Sequence, residues 1–179
     1  GVLSLSPVSV TGITNAISVA AGSNHSCALL SNNTIKCWGH GSYGQLGIGS
    51  TTTQYLSQIV VSGITNAASL GIGSSVYYRS CATLNDGTIQ CWGDGWLGSN
   101  DTSGSLTPRA VSNISSAKSV SNGSEVTCAL LNNGSIQCWG LSSQGQLGNG
   151  TGSTGPGANY FSRIPVSVSN ITNATAVSS

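Results

Sequence analysis

One segment occurs three times in this chain and contains all six of its cysteines. The copies are residues 27–39, 81–93 and 128–140. In each copy, a cysteine and a short apolar run precede a turn rich in Asn, Asp or Gly, and a β-prone run ending in Cys-Trp-Gly follows it. A turn of this kind between two such runs is typical of a β-hairpin. The sequence therefore predicts three equivalent hairpins.

The cysteine spacing predicts a disulfide within each hairpin. If the first turn centres on Asn32, the two cysteines lie directly opposite each other, where Cα atoms of a non-hydrogen-bonded pair are about 4.5 Å apart. The predicted pairs are Cys27 with Cys37, Cys81 with Cys91, and Cys128 with Cys138. Paired cysteines favour an oxidising compartment. Reduced, buried thiols are the alternative, and zinc is disfavoured because the spacing is not that of a Cys-x-x-Cys knuckle.

A longer period of about 50 residues contains the hairpins. Its marker isoleucines lie 51, 50 and 57 residues apart, at Ile13, Ile64, Ile114 and Ile171. Such a period indicates a propeller or solenoid, in which one unit cannot bury its own apolar face. Each unit contains about four short strands and no secure helix, as a propeller blade does. We therefore predict an all-β array of four-stranded antiparallel β-propeller blades: blade 1 over 7–56, blade 2 over 57–107, blade 3 over 108–164, and the opening strands of a fourth over 165–179.

A tryptophan follows the second cysteine of every hairpin. Trp38, Trp92 and Trp139 are predicted to pack each against a neighbouring blade, because one repeated position then supplies a large apolar area.

The motifs together resemble a known repeat. Pro-Val-x-Val-x-Gly-Ile begins the first unit, the cysteine hairpin follows, and Gly-Gln-Leu-Gly stands at 44–47. This order resembles the repeat of the regulator-of-chromosome-condensation family, in an extracellular, disulfide-containing form. The resemblance implies a β-propeller, usually of about seven blades, and many members bind proteins. The second unit departs from this repeat at Trp96, which stands in place of the Gln of Gly-Gln-Leu-Gly. The third unit carries an insertion over 150–161.

Three units and the start of a fourth leave two blade faces open, and open faces are assembly sites. Because the chain begins with Gly1 and starts and ends in mid-pattern, we expect either a longer chain or copies that stack on one another.

Charged residues are scarce: five Lys or Arg, four Asp or Glu, and a formal net charge of +1. Nucleic-acid binding leaves a basic footprint that this chain lacks. The nuclear exchange-factor or chromatin-binding role that the family name suggests is therefore disfavoured. No run of 18 apolar residues is present, so no membrane insertion is predicted.

Nine Asn-x-Ser/Thr sequons make the chain a candidate glycoprotein. The candidate acceptors are Asn24, Asn32, Asn100, Asn113, Asn122, Asn133, Asn149, Asn170 and Asn173. Turns rich in Asn, Ser and Thr would also raise this number.

No catalytic, cofactor or metal site is predicted, and the chain is not expected to be an enzyme. Gly-x-Gly-x-x-Gly occurs at 39–44 and 93–98, but no helical pattern follows either copy, so both are read as turns. Asp94 and Asp101 could approach each other, although two carboxylates fall short of a calcium site. His25 is interpreted as a hydrogen-bonded histidine between blades.

The sequence thus favours an extracellular structural or assembly module, a segment of a surface filament or appendage. Its expected partners are copies of itself or further blades of a longer chain. The alternative is a soluble propeller that binds an extracellular protein or glycan, since several aromatic residues fall in loops. These are Tyr43, Tyr55, Trp96, Tyr160 and Phe161.

Overall fold

A computed structural model describes residues 5–73, 77–152 and 160–179 of the chain. The described residues form twelve strands in three four-stranded sheets, and no helix. The first sheet contains β1 (Ala16–Ala21), β2 (His25–Leu30), β3 (Ile35–Gly39) and β4 (Tyr55–Val60). The second contains β5 (Ala67–Ile72), β6 (Arg79–Leu84), β7 (Ile89–Gly93) and β8 (Ser105–Ala110). The third contains β9 (Ala117–Asn122), β10 (Val126–Leu131), β11 (Ile136–Leu141) and β12 (Phe161–Ser167).

Each sheet is an antiparallel meander in which every strand pairs with its neighbours in sequence. The middle two strands are the predicted hairpins. Cys27 pairs with Cys37 in the first of them, and the other cysteines pair in the same register. Residues with positive φ lie at the three equivalent turns, namely Asn33, Gly87 and Gly134. Asn and Gly tolerate this conformation, so the Asn- and Gly-rich turns close the hairpins without strain.

The sheets are displaced along the chain from the predicted repeat units. The fourth strand of the first sheet, β4, lies across the predicted boundary between 7–56 and 57–107, and β12 ends inside the predicted fourth unit. Residues 7–10, expected to open the first blade, form no strand. The offset arises from strand pairing. The run that opens each later repeat forms hydrogen bonds with the third strand of the preceding sheet and becomes the fourth strand of that sheet. The alternation of apolar and polar residues indicates that such a run is a strand, but it does not indicate which neighbouring strand pairs with it.

The apolar core lies between consecutive sheets. One cluster joins Leu46 and Val61 of the first sheet region to Trp92 of the second. A second cluster joins Leu97 and Val111 to Trp139 in the same way. The first strand of each later sheet packs on the first two strands of the sheet before it. Each unit therefore buries its apolar face only by stacking on a neighbour, as the repeat period predicts.

The last residues of the chain lie on the third sheet. Ala174 donates its backbone N–H to the Gly134 carbonyl at 2.9 Å, as Ala117 does to Gly87 one sheet earlier. Residues 174–179 thus occupy the position that the first strand of a next sheet would take, although they form no strand there. Across the described part of the chain, helices of membrane-spanning length and hydropathy do not occur.

Candidate functional site at the blade interfaces and loop face

The three hairpins are each closed by a disulfide. The structure joins Cys27 to Cys37, Cys81 to Cys91, and Cys128 to Cys138, the pairs that the sequence predicts. Their Cα atoms are 4.0, 4.1 and 4.1 Å apart, as directly opposed strand residues are. Four of these cysteines are fully buried, so the bridges lie inside the stacked sheets and not on their surface.

The interface between the first two sheets is built around Trp92. This side chain is fully buried and donates its indole N–H to the Gln45 carbonyl at 2.9 Å. A Cβ atom on Gly47 would lie 2.9 Å from the indole ring and equally close to Val61, so glycine is required where the ring packs. We call the Gln45 carbonyl, Gly47 and Val61 the tryptophan socket of the first sheet.

The second interface repeats this arrangement. Trp139 is fully buried, and a Cβ atom on Gly98 would lie 2.9 Å from its indole nitrogen and from Val111. The equivalent socket of the second sheet is therefore the Trp96 carbonyl, Gly98 and Val111. Here the indole N–H finds no hydrogen-bond partner among the described residues. The predicted packing of Trp92 and Trp139 between neighbouring sheets is thus present in both interfaces.

Trp38 differs from the other two tryptophans. It is only half-buried, in a shallow groove beside Val8, Val10 and Leu56. No described sheet precedes its own, so the predicted packing of Trp38 against a neighbouring blade is absent here. The physical reason is position: each tryptophan packs on the sheet before it, and Trp38 belongs to the first.

A buried histidine links the first interface. His25 is 3% exposed, and its Nε2 lies 2.8 Å from the Ser80 hydroxyl. Ser80 donates its one hydrogen to the Gln45 carbonyl at 3.0 Å, so the histidine donates to Ser80 and carries its proton on Nε2. Burial, and to a smaller extent the charge of His40, lowers the pKa of His25 to about 4. A neutral histidine that donates to a serine cannot activate it as a general base, so this pair is a structural link.

Arg79 takes the place of His25 in the second interface. Its side chain is fully buried and donates to the carbonyls of Trp96 and Ser124, both at 3.3 Å. Burial lowers the pKa of Arg79 to about 10, against the opposing effect of Tyr77, Asp94 and Glu125. The guanidinium therefore stays charged at neutral pH while it ties loops of two sheets together.

An aromatic row crosses the loops at one end of the sheets. The row consists of His40, Tyr43, Tyr78, Tyr77, Trp96 and Phe161. Tyr43 and Tyr78 stack at 4.9 Å between ring centroids, Tyr77 contacts Trp96 at 5.2 Å, and Trp96 stacks on Phe161 at 5.5 Å. Of the predicted loop aromatics, Trp96 and Phe161 thus stack on each other, and Tyr43 belongs to the neighbouring group, which is joined to them through the adjacent residues Tyr77 and Tyr78. Tyr55 and Tyr160 instead pack against the apolar clusters.

The acidic residues do not assemble into a metal site. Asp101 forms a salt bridge with Arg109, and Asp94 accepts the backbone N–H of Gly95. No group of three potential metal ligands occurs in the described ranges. The glycines at 44 and 98 have positive φ and form turns, as expected for both Gly-x-Gly-x-x-Gly segments.

The hairpin sequons have a role in folding. Asn32 accepts hydrogen bonds from the backbone N–H and hydroxyl of Thr34, at 3.2 and 2.7 Å. Asn133 does the same with Ser135, and Asp86 does so with Thr88 in the second sheet, where no sequon exists. The turn needs a side-chain oxygen followed two residues later by a hydroxyl, and this pattern produces sequons by itself.

Seven of the nine sequon asparagines are exposed. Asn122 is 5% exposed and donates to the Gly71 carbonyl at 3.3 Å, so this fold leaves no room for a glycan there. Asn149 is half-buried, and the other seven are on the surface.

A known repeat family matches two of the three repeat units of this chain. The family model described as the regulator of chromosome condensation (RCC1) repeat matches residues 16–45 and 117–146, the first and third units. The chain contains RCC1 repeats. The second unit, where Trp96 replaces the usual Gln and the loop is shortened, lies between the two matched RCC1 segments.

Relatives carry similar RCC1 sequence over part of the chain. The human E3 ubiquitin-protein ligase HERC2 is 34% identical over 87 residues, which are 49% of this chain and 2% of that protein. The probable human E3 ubiquitin-protein ligase HERC4 is 31% identical over 107 residues, which are 58% of this chain and 10% of that protein. The chain thus spans a small fraction of these relatives.

Solved structures match the fold. Yeast RCC1 (Prp20), solved bound to Kap60, has a TM-score of 0.71 and 22% identity, over 89% of this chain and 38% of that one. Human WBSCR16 has a TM-score of 0.75 and 19% identity, over 93% and 46%. These likenesses confirm the predicted all-β architecture: the three sheets are RCC1-type propeller blades.

Two features of these interfaces escaped sequence reasoning. The first socket uses a backbone carbonyl as its acceptor, and a backbone carbonyl is present whatever the side chain, so neither Gln45 nor Trp96 identifies it in the sequence. The equivalent valines, however, recur at 61 and 111, and the glycines at 47 and 98. Arg79 stands at the position that His25 has in the first repeat, and nothing in the sequence around it signals complete burial.

Proposed function

We propose that this chain is an extracellular structural module, a disulfide-clipped and N-glycosylated segment of a surface filament or appendage. Its partners are then copies of itself or further blades of the same protein. The proposed mechanism is stacking: each blade buries its apolar face and its tryptophan against the blade before it.

The observation that carries this proposal is the open face of the first sheet. Val19 of β1 is 68% exposed, whereas Val120, at the same position in the third sheet, is 6% exposed. At the same position in the second sheet, Leu70 is half-buried against the first apolar cluster. Exposed apolar residues gathered on one sheet face mark an interaction surface.

The proposed compartment rests on the disulfides. Local bridges of this kind persist in oxidising environments and are rare where thiols are kept reduced. Near-neutral charge agrees with packing beside identical copies, since little like-charge repulsion opposes the contact. Exposed sequons such as Asn24, Asn100 and Asn173 are the proposed glycan acceptors.

The test is the mass and assembly of the natively isolated protein. We expect a non-reduced mass above 17.9 kDa that falls after enzymatic glycan removal, no free thiols, and a sedimentation coefficient above that of a monomer. A bare, monomeric chain with six free thiols would contradict the proposal.

A second candidate function is binding of an extracellular glycan or protein, and the aromatic row favours it. Aromatic rings offer large apolar surfaces with polar edges, as sugar and protein contacts require. Titration with oligosaccharides, followed by tryptophan fluorescence, tests the glycan form, with Trp96→Ala as the diagnostic variant. A fluorescence change that persists in Trp96→Ala would exclude the row as the binding site.

We further propose that the module has no catalytic role. His25 and Ser80 form a donor-to-acceptor chain that ends at a backbone carbonyl, and both are buried.

A further inference from the structure

The third sheet carries a tryptophan socket with no tryptophan in it. A Cβ atom on Gly148 would lie 2.9 Å from Val168, the same distance that separates a Cβ on Gly47 from Val61. Backbone hydrogen bonds hold both sockets alike: Ser169 donates to Gly148 at 2.8 Å, and Ser62 donates to Gly47 at 2.9 Å. The socket of the third sheet is therefore built like the filled ones.

Exposure distinguishes this socket from the filled ones. Gln45 and Gly47 are buried beneath Trp92, whereas Gln146 and Gly148 are exposed. The side chain of Gln146 still accepts the backbone N–H of Gln144, as Gln45 accepts that of Tyr43. The loop thus keeps its shape without the ring that packs on its equivalent.

The first sheet carries the residues that would fill such a socket, and no described sheet packs on them. Trp38 occupies the position of Trp92 and Trp139, and Val19 occupies that of Val120. Both are accessible, Trp38 partly and Val19 at 68%. One end of the chain therefore presents a tryptophan, and the other presents its socket.

Residues 174–179 cover the rest of the open face on the third sheet. They share Ala and Val with β1 at equivalent positions, Ala174 with Ala16 and Val177 with Val19. Ser179 donates to the Ser121 hydroxyl at 2.9 Å, and Val177 packs on the third apolar cluster. This segment resembles the first strand of a blade but brings no hairpin and no tryptophan.

We propose that a second copy of this chain docks head to tail on the third sheet. Its β1 displaces residues 174–179, and its Trp38 enters the socket formed by the Gln146 carbonyl, Gly148 and Val168. This inference rests on the proposed assembly function and specifies its contact. The occupant is a second copy because the junction continues the two interfaces already present within the chain. The contact joins different faces of the two copies, so it propagates into a filament or closes into a ring.

The two positions that hold the buried His25–Ser80 pair in the first interface carry no charge at this junction. Val126 replaces His25 and Arg79 on the socket side, and Ser26 replaces Ser80 on the incoming sheet. These two positions therefore bury no charge, whereas the half-buried Glu125 beside Val126 also lines this face. The Ser26 hydroxyl and the Trp38 indole are the two donors that the Gln146 carbonyl would accept, as Gln45 accepts Ser80 and Trp92.

The experiment is sedimentation velocity of the oxidised 179-residue chain over a range of concentrations. Trp38→Ala removes the tryptophan, and Gly148→Asn fills the socket with a residue that tolerates positive φ, as Asn113 does. Leu106→Ser is the matched control, because Leu106 is an exposed apolar residue on the middle sheet. We expect the wild type and Leu106→Ser to associate equally, and each of the other variants to associate at least about tenfold more weakly.

Mixing the two defective variants gives the sharpest result. The Trp38→Ala copy keeps an intact socket and the Gly148→Asn copy keeps an intact Trp38, so the mixture should form dimers and nothing larger. Dimers on mixing also show that both variants are folded.

The outcomes separate this inference from the proposed function. If the wild type assembles and both variants assemble as well as it does, the junction is wrong and the assembly function stands. If the wild type stays monomeric at every concentration, the head-to-tail contact is overturned, and the proposed function keeps only the form in which further blades of the same protein cover the open face. If the variants fail to associate alone and also fail to dimerise on mixing, the head-to-tail contact is overturned.

Discussion

The carbonyl oxygen of Gln45 accepts the indole N–H of Trp92 at 2.9 Å, across the boundary between the first two sheets. The same oxygen accepts the Ser80 hydroxyl at 3.0 Å. One backbone oxygen of the first sheet region thus accepts hydrogen bonds from two buried donors of the second sheet, the Trp92 indole and the Ser80 hydroxyl. Because an unpaired buried donor is costly, this carbonyl allows a tryptophan to supply apolar area at the interface without a polar penalty.

Trp92 is expected to be worth far more to stability than Trp38. Trp92→Ala should lower the free energy of unfolding by about 3–5 kcal/mol, because it leaves a large cavity between two sheets. Trp92→Phe should cost about 1–2 kcal/mol, since it removes the hydrogen bond and part of the ring. Urea unfolding of the monomeric chain measures both. Trp38→Ala is the matched control, and an equal loss in that variant would contradict the assignment of Trp92 to the interface.

Stability is expected to fall in mild acid because of His25. Its pKa is about 4 in the folded chain and near 6.5 when unfolded, so only the unfolded chain binds the proton between these values. Stability is therefore complete above pH 6.5 and decreases as the pH falls, by about 3 kcal/mol at pH 4. Urea unfolding at several pH values measures the slope. His25→Gln should flatten it in this window, and His40→Gln, the matched control, should keep it.

Each disulfide is expected to stabilise the fold through its own hairpin. The Cys81→Ala/Cys91→Ala double variant should unfold with about 2–3 kcal/mol less free energy, as the chain-entropy account predicts for so short a loop. Both cysteines are fully buried, so the wild-type bridge should resist mild reductant until the chain unfolds. Mass spectrometry after alkylation follows reduction with and without urea. Rapid reduction of all three bridges in the native protein would show that they lie on accessible surfaces.

The hairpin asparagines are expected to serve the turn whether or not they carry a glycan. Asn133→Asp should leave thermal stability of the unglycosylated protein nearly unchanged, because Asp86 makes the same two hydrogen bonds in the second sheet. Asn133→Ala should cost about 1 kcal/mol. Thr88 lowers the pKa of Asp86 by donating to it, which shows that the charged form fits this turn. Equal losses in the Asp and Ala variants would indicate that the amide, and not its oxygen, matters.

Sequence reasoning predicted the parts of this fold that are local. A hairpin and its disulfide depend on a turn and on two cysteines at matching distances from it, and both are visible within thirteen residues. The stacking of Trp92 followed from the repeat, because an isolated blade cannot bury such a ring. The same reasoning predicted that Trp38 packs on a preceding blade, but no described sheet precedes the sheet of Trp38.

The features that were not predicted depend on distant pairing. The backward pairing of β4 with β3 sets the blade boundaries, yet a Val-rich run reads the same whichever strand it joins. The socket was invisible because its acceptor is a backbone carbonyl, present at every residue. The burial of Arg79 was unexpected because arginine is rarely enclosed completely, and its acceptors, the carbonyls of Trp96 and Ser124, lie in loops far along the chain.

The offset between sheets and repeats determines where this protein can be divided. A cut at the apparent repeat boundary, near residue 57, would separate β4 from the sheet it completes and leave two unpaired edges. A cut over 61–66 or 111–116 falls between complete sheets instead. Duplication or exchange of whole sheets therefore has a natural joint in these short linkers, so arrays of this repeat can lengthen by insertion without a strand changing partners.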